Sequence, residues 1–296
     1  MKIKKRIIVY ISALLAVIIY GTGCVNQSGE QQDSEGKTVV ATSVTVCEIL
    51  DALEIDAVIG VPHTTTYEVP LRYQEAIEVG VAMNPDMEII SSLAPAYVIS
   101  PKSLESDLRP QYENSDLNAC FVDLSSLEGM YESINELGII FGREAQAAAL
   151  EQTFKEYLSE YHQALTGMEI PRVLILMGLP GSYVVATNKS YVGDLVEHAG
   201  GENVYGEETE AFLNINPEDM LTQQPDIILL TSHAMPEQVE QMFVEEFARN
   251  DIWKYFEAVN NQKVYTLNHQ HFGMSANLHY QEALDELKGI LYEEAK

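Results

Sequence analysis

Basic residues are scarce in this chain. Seventeen Lys plus Arg stand against 45 Asp plus Glu in 296 residues, a formal charge of −28. The shortage excludes nucleic acid as a partner, because neutralising phosphates needs a basic face. Cysteine is rarer still. No two of the three have the CxxC spacing of a metal or redox site. Cys47 and Cys120 lie in apolar segments (SVTVCEIL, NACFVDLSS) and read as buried thiols. Catalytic signatures are also missing: there is no GxSxG, P-loop, HExxH or GxGxxG sequence, so the chain does not read as an enzyme. The acidic excess itself implies solubility and repulsion from anionic surfaces.

The longest apolar run stands at the start. Lys2, Lys4, Lys5 and Arg6 precede an apolar region from Ile7 to Tyr20, and Gly21-Thr22-Gly23 puts small residues before Cys24. A membrane span needs about 20 apolar residues, and this run is shorter, so residues 1–23 read as a secretion signal. A cysteine directly after small residues resembles a bacterial lipobox, which makes Cys24 the expected lipid anchor. Removing the signal takes four basic residues and no acidic ones. That leaves 13 against 45, a charge of −32. Residues 24–37 have no apolar periodicity and read as a flexible tether.

From Thr38 onward, strands and helices alternate. TVVATSV, AVIGVP, YVISP and ACFVDLS read as strands separated by helical segments, which argues for a parallel sheet with right-handed crossovers. REAQAAALEQTFKEYLSEYHQALTG, residues 143–167, is the longest helical pattern, with Ala147, Leu150, Phe154, Leu158 and Tyr161 at spacings of three and four. The alternation then resumes through RVLILM, YVGDLVEHA, PEDMLTQQ, DIILLTS, PEQVEQMFVEEFARN and KVYTLN. The expected fold is therefore α/β: two Rossmann-like lobes with central parallel sheets, 38–142 and 168–296, joined by the single long helix 143–167.

Val173 to Tyr205 is the richest stretch. A buried strand ends at Pro180-Gly181, and a polar loop with Gly181, Ser182, Tyr183, Thr187 and Asn188 follows at the carboxyl edge, where open α/β sheets bind ligands. Ser190 is the expected cap of the next helix, and Gly200-Gly201 its end. The two halves also share a short repeat: Glu88, in NPDMEII, and Glu218, in NPEDM, each lie seven residues before a proline that precedes a strand.

These residues carry a family resemblance. The lipobox, the two α/β lobes, NPDMEIISSLAP and PEDMLTQQPDIILL resemble the class III substrate-binding lipoproteins of ABC importers, which carry haem, siderophores, cobalamin or metal ions. VGVAMNPDMEII, MGLPGSYVVATNKSYVGDLVEHAGGENVY, TSHAMPEQVEQMF and LNHQHFGMSANL are similar, more specifically, to the haem-receptor lipoproteins of the iron-regulated surface determinant system. The resemblance implies a non-enzymatic monomer on the extracytoplasmic face of a bacterial cell membrane. It would take haem b (iron protoporphyrin IX), from an upstream cell-surface donor among other sources, and deliver it to an ABC permease with its ATPase.

It also implies site residues. The iron would be held by Met83 from the first lobe and His233 from the second, a thioether and imidazole pair known for haem. The propionates must be held by local donors against the acidic field, which the amides of Gly181 and Ser182 can supply. Tyr183, Val184, Val185, Tyr191, Phe272 and Met274 are expected as the wall. Glu88 and Glu218 would dock to permease arginines. The alternatives are a siderophore or cobalamin receptor on the same fold, or a divalent-metal receptor using His63, His233, His269 or His271. His269 and His271, at i and i+2 of an extended segment, would point the same way. A soft thioether suits haem better than zinc or manganese.

Overall fold

The computed structural model describes residues 37–232 and 234–292. The expected signal, Cys24, the tether up to residue 36 and His233 lie outside the described residues. In the first half the order is β1 (Val39–Ala41), α1 (Val44–Ala52), β2 (Val58–Val61), β3 (Ile77–Glu78), β4 (Gly80–Val81), β5 (Asn84–Pro85), α2 (Met87–Leu93), β6 (Tyr97–Pro101), α3 (Glu105–Asn114), β7 (Ala119–Val122) and α4 (Leu127–Phe141). Helix α5 (Glu144–Ala164) follows. The second half runs β8 (Arg172–Leu179), β9 (Ser182–Ala186), α6 (Tyr191–His198), β10 (Glu202–Asn203), β11 (Phe212–Leu213), α7 (Pro217–Thr222), β12 (Ile227–Ser232), α8 (Pro236–Arg249), α9 (Glu257–Asn260), β13 (Val264–Thr266) and α10 (Tyr280–Tyr292).

The first sheet has the order β3-β2-β1-β6-β7 and is parallel throughout. Its strands are apolar on both faces because helices cover both sides. The second sheet, β11-β9-β8-β12-β13 with β10 beside β8, departs from the all-parallel expectation. Strand β9 pairs antiparallel with β8, and β11 antiparallel with β9. Pro180-Gly181 therefore does not lead into a loop but folds the chain back into a hairpin. Gly181 takes φ 85, a left-handed conformation that glycine reaches without a Cβ clash.

Side-chain caps fix where the helices begin. Ser190 accepts from the Gly193 amide as expected, and Ser43 and Ser126 do the same for α1 and α4. Helix α1 starts at Val44, inside the run TVVATSV that the sequence pattern reads as a strand, because Ser43 is a cap and not part of the strand. One apolar cluster runs through both halves, from Val39 and Leu50 to Val173 and Leu195. At its centre Tyr131 of α4 stacks on Phe154 of α5 at 4.3 Å, and both meet Tyr280 of α10 edge-on. The last helix is thereby packed onto the long one. Cys47 is free and buried. Cys120 is buried in the same core cluster.

Candidate functional site

A cleft of about 290 Å³ is lined from the first half by Ser43, Val44, Thr45 and Glu48 of α1, by Pro62, His63, Thr64 and Tyr67 after β2, and by Ala82. From the second half it is lined by Gln270, Gly273, Met274, Ser275, Asn277 and His279. Both halves are close enough to touch. The Tyr67 hydroxyl donates to the His269 carbonyl at 3.2 Å, and their rings lie 6.5 Å apart.

Met83 is the chain neighbour of Ala82, a residue that lines this cleft. Strands β4 and β5 pair Gly80 with Pro85 and Val81 with Asn84, which leaves Ala82 and Met83 as a two-residue turn. Ala82 lines the cleft, and Met83 is 67% exposed. A large apolar side chain left that open beside a cavity has a thioether available to an incoming group. Met274, 39% exposed, adds a second apolar side chain on the cleft wall. His233 itself lies outside the described residues. On its flanks, β12 ends at Ser232, and Met235 adopts φ 51 immediately before Pro236 opens α8. A left-handed methionine stores strain of order 1 kcal/mol, and such strain gathers at functional segments.

The other expected wall residues are not brought together there. Tyr191 and Phe272 are 1% and 0% exposed and belong to the core cluster, so neither offers a surface to a ligand. Tyr191 turns inward because it is the first residue of α6, whose inner face packs on the sheet and α10. Val185 is likewise fully buried, and Val184 packs against the same core. Gly181, Ser182 and Tyr183 line a separate depression with Gln238, Met242 and Glu246 of α8. There the Tyr183 hydroxyl donates to Glu246 Oε1 at 3.2 Å.

The start of α1 also lines the cleft, which the sequence reading missed. Ser43, Val44 and Thr45 line it, and the first amides of a helix have no intrahelical acceptor. Together with the helix dipole they favour an anion. The signal was Ser43, which reads as a strand residue when TVVATSV is taken as one run. Glu48, one turn in, is pushed up chiefly by burial, with His279 opposing the shift.

The histidines disperse. His63 Nδ1 lies 2.8 Å from Glu78 Oε2. The segment after β13 turns at Asn268, whose carbonyl accepts from the His271 amide, so His269 and His271 do not lie on an extended segment. The ring of His269 faces Tyr67, whereas that of His271 stacks on His279 at 6.1 Å and sits 3.6 Å from Glu286. Glu88 and Glu218 are both exposed, and each occupies the second position of its helix, after caps Asp86 and Asn216.

Two lobes of this architecture around a cleft define a substrate-binding protein of the class III type. The chain belongs to the periplasmic binding protein family, whose model matches residues 39–271. It is 39% identical to the high-affinity heme uptake system protein IsdE of Staphylococcus aureus (strain bovine RF122 / ET3-1) over 294 residues, 98% of this chain and 100% of that protein. Among solved structures, it is 40% identical to S. aureus IsdE complexed with heme, with a TM-score of 0.82 over 86% of this chain and 99% of that one. An ABC transporter substrate-binding protein from Listeria monocytogenes EGD-e is 42% identical, with a TM-score of 0.82 over 87% and 99%. Among the described residues no helix is long and apolar enough to cross a membrane.

Proposed function

We propose that this chain is a haem-binding, non-enzymatic lipoprotein. It captures haem between its lobes and delivers it to an ABC permease. The observation that carries this reading is the full-length likeness to IsdE, including a structure of that protein with heme. The exposed Met83 beside the cleft supports it from the chemistry: a thioether is a good ligand for haem iron and a poor one for zinc or manganese. His233 is the second axial ligand in this reading. The α1 amides, in place of the Gly181 and Ser182 amides, are the donors best situated for propionates. Cys24 anchors the mature protein on the extracytoplasmic face of the membrane, and the lobes take the boundaries 38–142 and 168–296, with 143–167 between them. A divalent-metal receptor is disfavoured because His63, His269 and His271 have different neighbours.

The test is the visible spectrum of purified protein titrated with haemin. An intense Soret band with low-spin six-coordinate features is expected, and it should collapse in Met83→Ala and His233→Ala. A spectrum unchanged in both variants removes the ligand assignment. Docking has its own test. Glu88→Lys with Glu218→Lys should abolish uptake while the haemin spectrum stays intact, and normal uptake by the double variant would show that the pair does not dock.

A further inference from the structure

Away from the cleft, three side chains from both halves converge on one point. Glu128 is the second residue of α4, and Asp194 and His198 lie four apart on one face of α6. His198 Nε2 is 3.2 Å from Glu128 Oε2 and 3.8 Å from Asp194 Oδ1. The three ligating atoms lie within 4.8 Å of one another. Asp194 is held in place from across the junction, because its other oxygen, Oδ2, accepts the Leu127 amide of α4 at 2.8 Å. His198 is held as well: its carbonyl accepts from His162 Nε2 of α5 at 3.1 Å, and the two rings stack at 5.9 Å.

The geometry points to a divalent transition-metal site formed by Glu128, Asp194 and His198, with zinc the ion it fits best, joining the two lobes beside the long helix. Tetrahedral zinc with bonds of about 2.1 Å separates its ligands by about 3.4 Å. The two separations from Nε2, 3.2 and 3.8 Å, straddle that value. Two carboxylates and one imidazole leave a fourth position for water, the pattern of an open zinc site. An imidazole nitrogen disfavours magnesium and calcium, which take oxygen ligands. Charge also favours a dication. Glu128 and Asp194 set two carboxylates against one imidazole, and Glu197 adds to the negative field around them. The cation takes the place of a proton on Nε2, so binding releases that proton where His198 carries one. Other histidine and carboxylate pairs, His63 with Glu78 and His279 with Glu282, each have a single carboxylate within ion-pair distance.

The test is calorimetric titration of zinc into the haem-free full chain at neutral pH. One site per chain is expected, weakened at least about tenfold by His198→Ala and by Glu128→Gln. Glu128 is mostly exposed, so its variant should fold, and circular dichroism of each variant verifies this. Haemin titration should be unchanged in both, and His63→Ala should leave the zinc isotherm intact. The proposal is overturned if zinc does not bind, if both variants bind it as wild type does, or if magnesium competes at equal concentration.

Discussion

Each half of the molecule carries one hairpin with a two-residue turn, and the two turns end in different surroundings. In the first half, Ala82 and Met83 cap strands only two residues long. Such a ladder has few bonds, so its tip projects and leaves Met83 open next to Ala82 of the cleft wall. In the second half, Pro180 and Gly181 cap β8 and β9, which pair over Leu176 to Leu179. That longer hairpin packs down: Tyr183 lies 5.8 Å from the Phe243 ring and 6.3 Å from Trp253. Glu246 Oε1 accepts from Tyr183, Trp253 Nε1 and Asn250 Nδ2. The first turn exposes an apolar side chain, whereas beyond the second, whose own residues are also exposed, Tyr183 is committed to holding α8 in place. A motif that looks poised for binding can be one whose donors and rings are already used by the fold.

The largest difference should appear in haem affinity. Met83→Ala should weaken haemin binding about a hundredfold, about 2.7 kcal/mol, whereas Ser182→Ala at the other turn should change it less than about twofold. Fluorescence quenching or Soret titration measures both. Comparable losses would mean that both turns touch the ligand, and the contrast would fail.

Next in size is the clamp under the second turn. Glu246→Ala leaves three donors without their shared acceptor and should lower stability by about 1–2 kcal/mol, read by urea denaturation. Burial alone would raise the Glu246 carboxyl, but the donors from Trp253, Asn250 and Tyr183 hold it below the usual range. A carboxylate with a depressed folded pKa stabilises the fold above its unfolded pKa, and the contribution is lost as pH falls through the folded value. Wild type should therefore lose more stability than Glu246→Gln on acidification below the ordinary glutamate range. Parallel curves would show that the clamp is inert.

The contrast between the hairpins also explains what could be read from residues. Strand β8 and helix α6 were legible because RVLILM is a buried run and Ser190 precedes a helix whose inner face is apolar. Strand β9 was not, because Pro180-Gly181 marks a turn but does not say whether the chain then leaves the sheet or returns along it. The partners that receive the returning strand, α8 and β11, lie far along the chain. The same limit hid the core positions of Tyr191 and Phe272, whose aromatic rings suit a ligand wall and a protein interior equally. Exposure of Met83 could not be inferred from its type, since methionine is usually core. The class III reading was legible because it rested on many segments together and not on one side chain.

The smallest effect isolates the turn itself. Gly181 holds φ 85, and a Cβ there would meet nothing within 4 Å, so Gly181→Ala adds backbone strain without a packing clash. It should destabilise the protein by about 1 kcal/mol. Gly178→Ala, three residues earlier, gives the contrasting case, because its Cβ would fall 2.2 Å from Val239 Cγ1 and wedge α8 off the sheet. For Gly181→Ala the haemin affinity should stay at the wild-type value while the thermal midpoint falls. If affinity falls with it, the amides of that turn reach the propionates, and the second hairpin is a binding element as well as a clamp.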